Sequence, residues 1–172
     1  MFSRLLRESK VSASMLVVLR LILGFSFLKA GFDHLTVGIF DASGFIKAAI
    51  ANPVEGPNGD ILYSWYVLIL KFVVLPNVDV FNTIIPTGEF LIGIGLIFGT
   101  FTTAMAFFAL VLNFSYVLAG NISSNPLDIL MGIIILCSGC NAGRFGLDRW
   151  GTHYIQAIFL NQKNKAAGQK SH

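Results

Sequence analysis

Charged residues are scarce in this sequence. Of its 172 residues only 12% are Asp, Glu, Lys or Arg, about half the share found in a typical soluble domain. The hydrophobic residues (AVILMFWYC) make up 55%. A soluble domain of this length leaves about 30% of its extended-chain surface exposed, so it cannot bury that much apolar surface. With only two cysteines, a disulfide-stapled secreted domain is excluded as well. The composition predicts an integral membrane protein.

Motifs for bound redox groups are also lacking. The sequence has no dinucleotide-binding fingerprint, no haem motif and no complete set of metal ligands. Its net charge of +3 comes mostly from the two ends of the chain. We interpret this charge as a determinant of membrane orientation and not as a nucleic-acid-binding surface.

Four apolar runs approach or reach the roughly 20 residues that a spanning helix needs. They are residues 12–32, 80–99, 101–119 and 127–142. Basic residues precede the first run and follow the last, which predicts that both termini are cytoplasmic. The expected fold is an all-α integral membrane protein with a four-transmembrane-helix bundle. Residues 1–160 would form this single domain, followed by a disordered cytoplasmic tail, 161–172.

The segment between the first two spans, residues 33–79, is long and is predicted to lie outside. Residues 52–60 are rich in turn formers, and 44–51 favour a short helix. The apolar stretch 61–75, closed by Pro76, would reach only about 22 Å as a helix, less than the roughly 30 Å hydrocarbon core. We expect it to cap the outer mouth of the bundle. The alternative, a fifth span, would send the basic C-terminus outside.

Two ions lie within the predicted spans. Arg20 is about 14 Å from the start of the first span and Glu89 about 15 Å from the end of the second, which predicts a common depth. The pair is either a structural ion pair or the lining of a polar ligand site. Asn113 is expected near the same layer, and Tyr116 follows on the same helical face. A single Asn is also a common hydrogen-bonding contact between membrane helices.

A second polar group is expected at the outer mouth. His34 is on the same helical face as Arg20, and Asp128 begins the fourth span. The two side chains are candidates for passing protons, for binding an anion or for binding a metal ion, although no spacing in the sequence resembles a complete metal site. Asp128 has a simpler alternative role, because a carboxylate in the first turn complements the helix dipole.

The two cysteines, Cys137 and Cys140, have the C-x-x-C spacing of thiol-disulfide enzymes. They lie near the C-terminal end of the fourth predicted helix, where the helix dipole disfavours a thiolate. Cysteine is also a small apolar residue that packs well in helices, and we favour this packing role over redox chemistry.

Three segments resemble signatures of the DoxX/DoxD membrane protein family. They are LRLILGFSFLKAG at 19–31, GEFLIGIGLIFGTFT at 88–102 and GRFGLDRW at 143–150. The long outer segment makes the chain most similar to DoxD, the small subunit of thiosulfate:quinone oxidoreductase. The motif positions that carry over are Arg20, Glu89, Arg144 and Asp148.

The resemblance implies a multi-pass protein of a prokaryotic plasma membrane, associated with quinone-linked sulfur oxidation or redox defence. It also implies a second redox subunit similar to DoxA. The alternative assembly is a homo-oligomer of this chain. The expected cofactor is a diffusible quinone, with no metal, haem or nucleotide, and the expected substrate is a small anion such as thiosulfate.

Three functions follow from these observations. The first is a quinone-linked oxidoreductase or its membrane subunit. Its quinone would contact the group Arg20, Glu89, Asn113 and Tyr116, and protons or the anion would arrive through His34 and Asp128. The second is a non-catalytic anchor that docks a partner enzyme on the outer helix around Trp65. The third is a carrier for a small anion or for protons.

Overall fold

The computed structural model describes residues 6–36 and 40–150, and the structure they form is all-helical. The helices are α1 (Lys10–Thr36), α2 (Ser43–Ala51), α3 (Ser64–Ile69), α4 (Val78–Phe98), α5 (Thr102–Leu118) and α6 (Asn125–Ser138). A π-helical turn, Leu70–Val74, and a 3-10 turn, Leu75–Asn77, join α3 directly to α4. The predicted tail, 161–172, lies outside the described residues.

The four long helices form a closed ring. α1 packs on α4, α4 on α5, α5 on α6, and α6 returns to α1. Their shared core contains Leu16, Leu23, Phe27, Ile92, Leu96, Ala106, Ala109, Ile135 and Ala142. The connections α4–α5 and α5–α6 are short, as the sequence predicts, so consecutive helices run antiparallel.

Within the described residues, two helical runs are long and apolar enough to cross a membrane, Lys10–Thr36 and Ser64–Phe98. Two further apolar helices are shorter, Thr102–Leu118 and Asn125–Asn141. The outer face of α1 is also apolar, because large hydrophobic side chains are exposed along its length: Val11, Met15, Val18, Ile22, Phe25 and Phe32.

Glycines set the register between α1 and α4. A Cβ on Gly93 would lie 2.5 Å from the backbone nitrogen of Leu28, and a Cβ on Gly31 would lie 2.8 Å from Cα of Phe90. Only glycine permits such an approach, because any side chain would overlap the facing backbone. The two backbones are therefore in direct contact near the level of residue 30.

Residues 40–77, called the cap below, lie across one end of the bundle. The predicted short helix is confirmed as α2, and the predicted turn at 52–60 is closed by an antiparallel bridge between Glu55 and Ile61. The cap has its own small core of Ala42, Ile46, Ala49 and Leu70, to which Ala119 at the end of α5 adds.

The apolar stretch after the turn differs from the prediction. Its helix does not stop at Pro76 but continues without a break into α4, so Ser64–Phe98 is one 35-residue run. Tyr66 and Glu89 both reach the end of α5, at Ser115 and Tyr116. A straight helix would hold these two residues about 35 Å apart. The run therefore bends strongly, and Pro76, which lacks an N–H and crowds the preceding turn, lies at the 3-10 segment between them.

Candidate functional site

A buried carboxylate with two side-chain partners lies where the bundle meets the cap. Glu89 of α4 is 3% exposed. Its Oε2 is 2.8 Å from Nδ1 of His34 on α1, and its Oε1 accepts a hydrogen bond of 2.7 Å from the hydroxyl of Tyr116 on α5. Three helices thus contribute one side chain each. The structure brings together three residues that the sequence placed in two separate groups.

The local sequence explains how the three side chains meet. His34 lies less than one turn beyond Gly31, where α1 touches the α4 backbone, so its ring begins close to Glu89. Pro86, one turn before Glu89, leaves a backbone carbonyl of α4 without its usual N–H partner. The carbonyl of Pro86 itself faces α1, 2.9 Å from where a Cβ on Gly31 would be.

Aromatic rings from the cap cover the carboxylate site. The ring of Phe40 lies 4.4 Å from the ring of His34, centroid to centroid, and Phe45 of α2 approaches Tyr116 edge-on at 6.3 Å. The sequence analysis missed both phenylalanines. The sequence could have indicated them, because Phe40 precedes the short predicted helix and Phe45 lies in it, within a segment expected to lie at the outer mouth of the bundle.

Asn113 lies one turn from Tyr116 on the same face of α5 and is 2% exposed. Its side-chain nitrogen Nδ2 has no hydrogen-bond partner within the described part of the chain. An unpaired buried donor costs roughly 1–3 kcal/mol. A carbonyl oxygen of a bound ligand is the type of group that would satisfy this donor.

The arrangement suits proton transfer. The His34 side chain is 37% exposed, whereas Glu89 is buried, so the pair connects solvent to the interior of the bundle. A histidine can donate or accept a proton near neutral pH, and a buried carboxylate in contact with it can hold that proton. Tyr116 extends the chain of hydrogen bonds by one more hydroxyl.

Arg20 is not part of this site, and the predicted pairing of Arg20 with Glu89 is wrong. The Arg20 side chain is 2% exposed and its Nη1 donates to the carbonyl of Ala142 at 2.8 Å. It lies against Gly99, at the opposite end of α4 from the cap. The sequence analysis assumed that the start of the first span, residue 12, lies at the same depth as Gly99. In the structure Arg20 lies at that depth, so the assumed alignment of the two helices was wrong by eight residues, or about 12 Å.

Asp148 organises the end of the bundle where Arg20 lies. Its two carboxylate oxygens accept hydrogen bonds from the backbone N–H groups of Phe101 at 2.6 Å and Thr102 at 2.8 Å, at the start of α5. Its own N–H donates to the carbonyl of Gly99 at 2.8 Å. Gly99 and Phe101 both have positive φ, so the tight α4–α5 turn is stabilised by this carboxylate. Asp148 therefore stabilises the turn between α4 and α5.

Arg144 and its neighbour Asn141 connect the segment after α6 to the segment before α1. The Nη1 of Arg144 donates to the carbonyl of Glu8 at 3.2 Å, and the Asn141 amide donates to the carbonyls of Leu6 and Ser9. The residues before α1 and those after α6 therefore lie at one end of the bundle. This is the end of the bundle opposite the cap.

Asp128 does not join His34, contrary to the prediction. It is 7% exposed in the first turn of α6, where its Oδ2 accepts a hydrogen bond from Ser124 at 3.2 Å. The hydroxyl of Ser26 on α1 is its other neighbour. These contacts fit the alternative interpretation, a carboxylate that stabilises the start of its own helix.

The two cysteines are free, and both are exposed. Neither cysteine is therefore buried against another part of the described chain. No group of three or more potential metal ligands occurs in the residues that the structure describes.

Comparisons with known proteins provide no family assignment. No protein family model, no curated protein and no solved structure matches the chain. A functional interpretation depends on the geometry around Glu89 and on the resemblance of the three sequence segments.

Proposed function

We propose that this chain is a DoxX/DoxD-like membrane protein that takes part in quinone-linked oxidation of a sulfur compound, as the enzyme or as its membrane subunit. The observation that carries the proposal is the buried Glu89 carboxylate held by both His34 and Tyr116. In membrane helices a buried ionisable group with named partners is more often functional than structural.

The chemistry requires protons as well as electrons. Reduction of a quinone to a quinol consumes two electrons and two protons. Two thiosulfate anions supply the two electrons when they couple through a new S–S bond to form tetrathionate. In this scheme His34 takes protons from the outer solution and Glu89 passes them towards the quinone oxygens. The residues at the site fit such a substrate, because Asn113 Nδ2 is a buried donor without a partner.

The proposal changes the set of binding residues expected from the sequence. Glu89, Asn113 and Tyr116 stay in the quinone site, and His34 stays the route for protons, with its ring against Glu89. Arg20 and Asp128 leave it, since each has structural partners elsewhere. The quinone would approach from the cap end, where Phe40 and Phe45 provide flat apolar surfaces.

We also propose that all four long helices span the plasma membrane with both termini inside. Two long apolar runs and two shorter apolar helices support this topology. The residues around both chain ends include Arg7, Lys10, Arg144 and Arg149, and they share one end of the bundle. An excess of Lys and Arg is typical of the cytoplasmic side.

A non-catalytic anchor is the second candidate. One observation favours it, because the cap exposes a series of large apolar side chains: Ile61, Leu62, Trp65, Leu68, Ile69, Phe72 and Val73. Such a surface fits either lipid or a partner subunit. The third candidate, a carrier, has no comparable observation in its favour.

The test is quinol formation from thiosulfate in membranes that contain the full chain and its natural partners. Glu89→Gln keeps the shape of the side chain but removes its titratable proton, and we expect turnover to fall by a factor of about 100 or more. The matched control is Glu55→Gln, an exposed carboxylate in the cap. Retained melting temperature in both variants shows that the loss is chemical.

Unchanged turnover in Glu89→Gln would overturn the oxidoreductase proposal. The anchor is then examined separately by deleting residues 52–75. Loss of a stoichiometric partner on that deletion, with no quinone bound to the intact chain, would support the anchor.

A further inference from the structure

An open groove of about 760 Å³ lies at the end of the bundle opposite the cap. Its walls come from the start of α5, from the segment after α6, and from Arg7 before α1. Arg7, Arg144 and Arg149 all line it. Glu89 is eleven residues before Thr100 in the groove wall, or about 16 Å along α4 and the turn that follows it, so the groove is a separate feature.

The guanidinium groups of Arg7 and Arg144 are held in place by backbone carbonyls. Arg7 Nε donates to the carbonyl of Cys137 at 3.1 Å, and Arg144 Nη1 donates to that of Glu8 at 3.2 Å. Each guanidinium carries five N–H donors. The bond to Cys137 uses only Nε of Arg7, and the bond to Glu8 uses only Nη1 of Arg144. Each guanidinium therefore has further N–H donors beside the one that the backbone carbonyl orients.

The acidic residues nearby do not cancel this charge. Asp148 lines the groove, but both its oxygens already accept N–H groups from α5, and the buried Arg20 is an additional positive charge beside it. Three arginines and one carboxylate, Asp148, are among the residues that line the groove, so the formal charge of its lining is positive.

The groove also has an apolar side. Phe101 is 69% exposed and Leu147 is 53% exposed, and both line it beside the arginines. Thr102 is a lining residue too, and its buried hydroxyl has no partner within the described residues. A ligand that fits has an anionic, hydrogen-bond-accepting group attached to an apolar chain.

We infer that this groove binds an anionic phospholipid of the cytoplasmic leaflet. The phosphate lies between the guanidinium groups of Arg7 and Arg144, and an acyl chain lies along Phe101 and Leu147. Arginine pairs with phosphate through parallel N–H···O bonds, which favours it for this role. Inorganic phosphate shares the headgroup chemistry but lacks the chain.

The first experiment measures the melting temperature of the detergent-purified full chain with added short-chain lipids. Dihexanoyl phosphatidylglycerol is expected to raise the melting temperature, whereas the matching phosphatidylcholine and inorganic phosphate at equal concentration are not. Equal stabilisation by phosphate and phosphatidylglycerol would show a free-anion site, and equal stabilisation by both lipids would show no headgroup recognition. Either result overturns the inference.

Two double variants test whether phosphatidylglycerol binds at the arginines of the groove. In Arg7→Gln/Arg144→Gln we expect the apparent affinity for phosphatidylglycerol to fall at least about tenfold, because two charge-assisted bonds are lost. Lys47→Gln/Lys71→Gln removes the same charge from the cap and should leave the affinity unchanged. If both double variants lose affinity equally, the lipid effect is non-specific and the inference is wrong.

A second variant keeps the test decisive if the arginine variant does not fold. Leu147→Glu adds a carboxylate to the wall of the groove and leaves the arginine contacts intact, so binding should still weaken. Cys140, which is exposed and lines the groove, reports occupancy directly. In a Cys137→Ser background, maleimide labelling of Cys140 should slow when phosphatidylglycerol is bound. An unchanged labelling rate at saturating lipid would contradict the assignment.

Discussion

Gly93 of α4 lies against the backbone of Leu28 in α1, closer than any residue with a side chain could. A Cβ added there would be 2.5 Å from the Leu28 nitrogen and 2.6 Å from its Cα. This contact, repeated where Gly31 meets Phe90, fixes which residues of the two helices face each other. It places His34 beside Glu89 at the cap end and Arg20 beside Gly99 at the other end.

Gly93→Ala should destabilise the bundle. The facing atoms belong to a backbone and cannot rotate away, so overpacking of about 1–3 kcal/mol is expected. Gly88→Ala is the matched control, because a Cβ at Gly88 meets open space and alanine is the better helix former by about 1 kcal/mol. Thermal unfolding in detergent measures both. A Gly93→Ala protein that melts no lower than Gly88→Ala would refute the register.

The variant Arg20→Met tests whether Arg20 has a structural role, in contrast to the catalytic role proposed for Glu89. It removes the bond to the Ala142 carbonyl and the positive charge beside Asp148. Loss of a hydrogen bond made by a charged group costs about 1.5–3 kcal/mol, so the melting temperature should fall. Protein that remains folded should keep its quinone-linked turnover, unlike Glu89→Gln. Turnover lost at unchanged stability would return Arg20 to the site.

Asp148→Asn should weaken the α4–α5 turn. The amide keeps one acceptor for the N–H groups of Phe101 and Thr102 but loses the charge, and loss of a helix-capping group costs about 1 kcal/mol. Asp33→Asn, at an exposed carboxylate on α1, should cost much less. Hydrogen exchange at the first amides of α5 locates the effect. Equal exchange in the two variants would show that Asp148 has no capping role.

The stability of the first turn of α2 should depend on pH. The Ser43 hydroxyl and then the Ser43 N–H bind the Asp41 carboxylate, and these hydrogen bonds lower its pKa from the ordinary value of 3.8. A lowered folded-state pKa means that the stabilisation is present above pH 3.8 and is lost as pH falls through the folded pKa. Hydrogen exchange across α2, corrected for intrinsic rates, should therefore lose protection in acid. In Ser43→Ala that acid-dependent loss should shrink, and an equal loss in both proteins would contradict the assignment.

The four-span topology predicts opposite labelling of the two ends. In intact cells a membrane-impermeant maleimide should label Asn58→Cys in the cap, made in a Cys137→Ser/Cys140→Ser background. The native Cys140 in a Cys137→Ser background should react only after the membrane is permeabilised. Labelling of both positions from the same side would rule out this topology.

The sequence predicts the helices better than their relative positions. Hydropathy and turn residues located α1, α2, α5 and α6, because each is bounded by polar or glycine-rich links. They also identified Glu89, His34 and Tyr116 as unusual residues for a membrane span. The depth of each residue was counted from the ends of apolar runs, and those ends do not say which residues of two helices lie opposite each other.

The misplaced ion pair has a physical cause. Opposite charges at similar counted depths are expected to meet, but the contact between Gly93 and Leu28 decides the register and shifts Arg20 towards the C-terminal segment. The partners found there are a backbone carbonyl at Ala142 and a capping carboxylate at Asp148. Both contacts join residues that are far apart in the sequence, so neither can be predicted without the fold. Arg20 and Ala142 are 122 positions apart, and Phe101 and Asp148 are 47 positions apart.

The bent helical run Ser64–Phe98 has a mechanical consequence. Its first arm holds the backbone of Ser115 through the Tyr66 hydroxyl, and its second arm holds Tyr116 through Glu89. Both arms therefore bind adjacent residues of α5, Ser115 and Tyr116. The cap is therefore connected to the Glu89 carboxylate twice, through one continuous helical run and through adjacent residues of α5.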